Sequence, residues 1–114
     1  DAQGAPDIIH AHSSVWAGYA AYWIGRRYGI PYVITEHRGR FTLRTREAQK
    51  QVKPWFPVYL KGAFRNASGV ILVGSHLERG LGRYKVSGVP WAVIPNGVDT
   101  DVFRPSLRSP WTAV

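Results

Sequence analysis

Four short apolar runs alternate with segments of helical character along this chain of 114 residues. No other feature constrains the fold as much. The runs are Asp7–His12, Pro31–His37, Gly69–Ser75 and Trp91–Pro95. Short apolar strands separated by helical segments predict a parallel β-sheet of about four strands joined by crossover helices, an α/β fold. In open sheets of this kind ligands bind in the loops beyond the carboxyl ends of the strands. Those loops carry His12, His37, Ser75-His76 and Asn96-Gly97-Val98-Asp99.

The segments between the runs supply finer expectations. Ser13 or Ser14 is placed to cap a helix after the first run. Trp16, Ala20, Trp23 and Ile24 then recur at helical spacing and predict an apolar face turned to the core. Arg26 and Arg27 suit the last turn of that helix, Gly29 its left-handed cap, and Pro31 follows. Pro57 suits the first turn of a second helix ending near Arg65, with Leu60, Ala63, Phe64 and Ala67 as its buried stripe. Ser75-His76-Leu77-Glu78 has the form of a capping box, which predicts a helix beginning at once, with amides that could hold an anion. Gly80 and Gly82 should keep that helix short or irregular. Asn96-Gly97 predicts a turn. Thr100–Pro110 reads as a linker and Trp111–Val114 as the start of a further strand. Right-handed crossovers running in one direction put every helix on one face. The other face is then expected to be bare and apolar and the first strand's edge unpaired, so the chain should self-associate.

Composition narrows the functional classes. There is no cysteine, which excludes a disulfide framework, thiolate metal sites and cysteine nucleophiles. The longest uncharged apolar stretch, Val15 to Gly25, is too short to span a membrane. Fifteen basic and seven acidic residues give a formal net charge of +8, and the excess is local. Arg38, Arg40, Arg44, Arg46, Lys50, Lys53, Lys61 and Arg65 share one segment with a single acid, Glu47. Such a run suits a phosphate-bearing partner (nucleic acid, an anionic membrane or a phosphorylated small molecule) or is simply a solvated face. The chain contains no Met and opens as Asp1-Ala2-Gln3-Gly4; it reads as a piece of a longer protein.

Among candidate site residues, His10 and His12 lie on one face of a strand. At that spacing they could ligate zinc or iron; the alternative is one packed His and one at a cleft. His37, at the end of the second run, can exchange a proton near neutral pH or fix a substrate hydroxyl. Glu36 beside it could pair with Arg38 or Arg40. Ser75 lacks the Gly-x-Ser-x-Gly elbow of a nucleophile, so capping is its expected role. No Gly-x-Gly-x-x-Gly follows a strand and no Walker loop is present, which argues against a dinucleotide site of the usual kind.

Four motifs taken together resemble a known family. Pro6-Asp7-Ile8-Ile9-His10-Ala11-His12, Gly29-Ile30-Pro31-Tyr32-Val33-Ile34-Thr35-Glu36-His37, Ala67-Ser68-Gly69-Val70-Ile71-Leu72-Val73-Gly74-Ser75, and Val93-Ile94-Pro95-Asn96-Gly97-Val98-Asp99 with Phe103-Arg104-Pro105 are similar to the amino-terminal domain of family 4 retaining glycosyltransferases of the GT-B fold. The resemblance implies that residues 1–103 form the second half of a Rossmann-like acceptor domain, and that 104–114 begin the interdomain linker and the carboxyl-terminal domain. It places His37 near the reacting centre as the catalytic-site residue, with His12 on the acceptor side. Ser75 and His76 would stand at the mouth of the third strand, and Asn96 and Gly97 in the turn toward the hinge. Arg38 and Arg40 of the basic run would meet an anionic acceptor.

The implied reaction moves a hexosyl group from a nucleotide-sugar donor to an acceptor hydroxyl with retention, in glycan, glycolipid or polysaccharide synthesis. The resemblance implies no metal and no cofactor beyond the donor substrate. The acceptor would be a sugar, a lipid or a phosphorylated small molecule. The location would be cytoplasmic, with peripheral contact to an anionic membrane. The family's Gly-rich first loop and its donor domain find no counterpart in these 114 residues, so the chain by itself is expected to be inactive. Two rival readings are a basic α/β nucleic-acid-binding module and a His-metal hydrolase built on His10, His12 and His37.

Overall fold

The computed structural model describes residues 4–37 and 56–104. The elements run β1 (Ile9–His12), α1 (Ala17–Tyr28), β2 (Tyr32–Glu36), α2 (Phe56–Arg65), β3 (Gly69–Leu72), a 3-10 turn (Ser75–Leu77), α3 (Glu78–Arg83) and β4 (Trp91–Val93). All neighbouring strands pair in parallel, in the order β1-β2-β3-β4. The result is the expected Rossmann-like α/β sheet. The strands are shorter than the apolar runs, although Ile94 N–H still donates to the Leu72 carbonyl at 2.9 Å.

Register sorts the side chains onto two faces. Ile9, Tyr32 and Val70 belong to one set with Ala11, Ile34 and Leu72, because pairing aligns like positions and alternate residues share a face. This set meets the helices. The buried cluster joins Ala11, Tyr32, Ile34, Val70 and Leu72 to Ala21 of α1, Leu60, Ala63 and Phe64 of α2, and Leu81 of α3. Burying a side chain such as Phe64, Ile34 or Leu72 contributes about 1.5–3 kcal/mol. The stripe expected on α2 is therefore present, Ala67 included. Tyr32 reinforces it, since its hydroxyl donates to the Ala63 carbonyl at 2.5 Å.

The first helix departs from expectation. Its buried residues are Gly18, Ala21 and Gly25, whereas Trp16 and Trp23 are 72% and 51% exposed. The reason is distance. A Cβ on Gly25 would lie 2.7 Å from the Ile30 carbonyl oxygen, and one on Gly18 3.3 Å from the Ile34 side chain. The helix lies so close to β2 that only small residues fit between them. Gly29 caps it in the left-handed conformation, as expected, at φ 68°. Neither serine caps it: position N-cap is Trp16, with no side-chain bond.

Two further expectations are corrected. The Ser75–Leu77 turn and α3 begin directly after β3, but no side chain caps either one, so the capping box does not form. With six residues, α3 is as short as its glycines imply. The turn expected at Asn96-Gly97 lies further on. Asp99 organises it, its Oδ1 accepting from the amides of Asp101 and Val102 at 3.0 and 3.3 Å. The linker and strand expected after Arg104 fall outside the described residues.

The second face carries His10, His12, Val33, Thr35 and Ile71. It is apolar toward β3, but toward the β1 edge it is polar rather than apolar as expected.

Candidate functional site

Two histidines meet at the carboxyl end of the sheet. His12 is the last residue of β1 and stands beside Thr35 of β2. Alternation along β2 then brings His37 onto the same face as Thr35, one step beyond the strand. His12 Nδ1 and His37 Nε2 are 3.1 Å apart, a hydrogen bond in which one ring supplies the proton. Their ring centroids are 5.3 Å apart and the planes lie 25° from parallel. His10 backs the pair: its centroid is 4.3 Å from that of His12, and its Nε2 bonds Thr35 Oγ1 at 2.6 Å. His10 is thus exposed, held against Thr35 and His12. Thr35, His10, His12 and His37 form a polar ladder ending at the sheet's rim.

Beneath this ladder lies Glu36, 1% exposed. Its Oε2 accepts the Ser14 backbone N–H at 3.0 Å and the Ser14 hydroxyl, and its Oε1 accepts the His37 N–H at 3.0 Å. The carboxylate therefore joins the loop after β1 to the loop after β2. A buried carboxylate is tolerable only when such donors surround it. The joined loop is strained at Ser13, whose φ is 81°. Ser13 N–H donates to the Thr35 carbonyl at 2.7 Å. Its hydroxyl is buried and finds no partner.

The charge of Glu36 also reaches Tyr84. Burial holds the Tyr84 phenol above its usual range; the charge of Arg83 opposes this and that of Glu36 adds to it. Burial likewise raises the Tyr32 phenol, with a smaller contribution from Tyr22.

The remaining predicted residues surround the pair at greater remove. Ser75 and His76 are exposed and come after β3, the strand next to β2. The His76 ring folds back over Gly74, where a Cβ would lie 2.7 Å from its Cε1. Asn96 and Gly97 are exposed beyond β4, at the other edge of the sheet from His12. Arg38 and Arg40 lie outside the described residues. Among the described residues no three His, Asp or Glu side chains are arranged to hold a metal ion, so the hydrolase reading finds no ligand set there.

Residue-by-residue reading undervalued Glu36, Ser14, His10 and Thr35. One signal was available. Period-two alternation puts Glu36 on the face of Tyr32 and Ile34, and an acid at an inward position must gather donors.

A four-stranded parallel sheet with its helices in this arrangement is a Rossmann-like α/β domain, a fold whose ligands bind at the carboxyl ends of the strands. Residues 2–102 match the model of Glycosyltransferase Family 4, and the chain belongs to that family. Over 105 residues it is 30% identical to a putative teichuronic acid biosynthesis glycosyltransferase of Bacillus subtilis (strain 168), covering 87% of this chain and 24% of that protein. Over 103 residues it is 30% identical to the UDP-Gal:alpha-D-GlcNAc-diphosphoundecaprenol alpha-1,3-galactosyltransferase of Escherichia coli, covering 90% of this chain and 26% of that one. The chain thus spans about a quarter of the length of these curated relatives. No solved structure matches it significantly. Among the described residues no helix is long and apolar enough to cross a membrane.

Proposed function

We propose that this chain is the acceptor-side part of a glycosyltransferase that moves a hexosyl group from a nucleotide sugar to a hydroxyl with retained configuration. Family membership supports the class of reaction. The observation that carries the placement is the His12–His37 pair at the rim of the sheet. In this reading His37 orients the acceptor or the transferred sugar at the reacting centre, and His12 fixes its ring. Ser75, His76, Asn96 and Gly97, with Arg38 and Arg40 of the basic run, complete the acceptor side. The nucleotide sugar is a substrate, and the reading asks no metal of these residues; one ring nitrogen of each histidine is engaged in a hydrogen bond.

The relatives' names indicate acceptor classes. One is named for teichuronic acid biosynthesis, and the other names UDP-Gal as donor and alpha-D-GlcNAc-diphosphoundecaprenol as acceptor. We accordingly assign this protein a lipid-linked or polysaccharide acceptor, at the cytoplasmic side of an anionic membrane. The domain limits proposed are 1–103 for the acceptor half and 104–114 for the linker and the start of the carboxyl-terminal domain. Because a donor site is read into a separate domain, the isolated chain should transfer nothing, and its open sheet edge should make it self-associate.

The test uses the full-length protein screened against nucleotide sugars. Transfer to a hydroxyl acceptor that His37→Ala reduces by about 100-fold or more is expected of a residue at the reacting centre. Unchanged turnover in that variant would remove His37 from the mechanism, and turnover by the isolated chain would refute its inactivity.

A further inference from the structure

A cleft of about 330 Å³ opens at the amino end of β2, the opposite end of that strand from His37. Tyr22 and Arg26, one turn apart on α1, line it together with Tyr32, the first residue of β2, and Asn66, the residue after α2. Tyr22 packs against the core, and its hydroxyl accepts from the Arg26 guanidinium at 3.2 Å. The lining holds one cation and no acid. Arg27 and Arg65 adjoin it in sequence, and neither α1 nor α2 contains an acid. Among the described residues no carboxylate pairs with Arg26. Burial keeps the Tyr32 phenol protonated, so it adds no negative charge.

We propose that this cleft is a second ligand site, for a small hydroxylated anion (a phosphate ester or a carboxylate) of monosaccharide size. Arg26 supplies a planar fork of N–H donors, of which the Tyr22 hydroxyl takes one, and such a fork matches phosphate and carboxylate oxygens. The Tyr22 hydroxyl accepts that bond and keeps its own proton to donate. Asn66 Nδ2 is engaged with the Gly62 carbonyl at 2.8 Å, which leaves the amide oxygen to accept from a ligand hydroxyl. Ile30 and Pro31 add an apolar wall for the carbon skeleton. The volume lies at the small end of the range for small-molecule sites, about 300–1,000 Å³, which sets the size of the ligand. Tyr32 and His37 are five residues apart along an extended strand, about 16 Å at 3.3 Å per residue. A ligand held here therefore leaves the His12–His37 rim open, and the proposal does not rest on the glycosyl-transfer reading.

The experiment is calorimetric titration of this chain with glucose 6-phosphate, gluconate and glucose. At least one of the two anions should bind about tenfold or more tightly than neutral glucose, as expected for charge-assisted bonds to a guanidinium. A preference for glucose 6-phosphate identifies a phosphate ester as the ligand, and a preference for gluconate a carboxylate. Arg26→Gln should lose about tenfold or more of that binding, and Tyr22→Phe, which removes a single hydroxyl, about threefold or more. Arg26 is exposed, and an unaltered far-UV circular dichroism spectrum verifies the fold of each variant. In amide NMR spectra the bound anion should shift Arg26 and Asn66. No preference for either anion over glucose, or full binding by both variants, overturns the proposal. So do shifts centred on His12 and His37, which would put the anion at the rim. Transfer to a hydroxyl acceptor by the full-length protein tests the catalytic reading separately.

Discussion

Glu36 and Ser14 are joined twice, through the backbone N–H and the hydroxyl of the serine, although 22 residues separate them. With the His37 N–H on its other oxygen, the carboxylate sets the relative position of the two loops that present His12 and His37. Glu36→Ala would strand several buried donors. A loss of about 2–4 kcal/mol is expected from unsatisfied groups of this kind. Ser14→Ala removes one bond to a charged acceptor and should cost about 1.5–3 kcal/mol. Urea unfolding followed by circular dichroism measures both; a Glu36→Ala variant as stable as the parent would show that the clamp carries no energy.

The imidazole pair predicts non-additivity in the full-length protein. His12→Ala and His37→Ala should each lower kcat/KM, but once one ring is gone the other has lost its partner. The double variant should therefore be better than the product of the single effects, with a coupling of about 0.5–1.5 kcal/mol for one hydrogen bond. Strict additivity would mean that the two rings act independently.

Two glycines offer an opposed pair. Gly25→Ala should destabilise the chain, because the new methyl meets the Ile30 carbonyl oxygen and Tyr32 Cδ1 at 2.7 and 3.0 Å. Overpacking of this sort costs about 1–3 kcal/mol, more than the helix propensity gained. Gly62→Ala lies within α2 with nothing inside 4 Å of the added methyl. It should stabilise by about 0.5–1 kcal/mol. Thermal melts of the two variants should shift in opposite directions.

Alkaline pH should unfold the chain through its buried phenols. Tyr32 and Tyr84 are both raised above the ordinary value of 10.0, chiefly by burial. Below that value both states are protonated and their contribution is complete. As pH rises through it the unfolded chain releases protons that the folded chain retains, so stability falls by up to about 1.4 kcal/mol per pH unit for each tyrosine. Tyr32→Phe loses its bond to the Ala63 carbonyl and is less stable at neutral pH, yet its stability should decline less steeply above pH 10.0. Equal slopes for parent and variant would exclude Tyr32 as a source.

Local pattern alone determined the four parallel strands, the buried stripe of α2, the left-handed cap at Gly29 and the rim position of His12 and His37. These depend on spacing along the chain, which sequence displays directly. Tertiary structure decided what spacing leaves open. Helical periodicity groups Trp16, Ala20, Trp23 and Ile24 on one side of α1 but does not say which side faces inward. The answer came from the approach of the helix to Ile30, Tyr32 and Ile34, which leaves room only for Gly18, Ala21 and Gly25. Likewise a serine after a strand is a local capping signal, yet Ser14 serves Glu36 instead. A carboxylate buried on the inward face binds the nearest donors that folding supplies, whatever their distance in sequence.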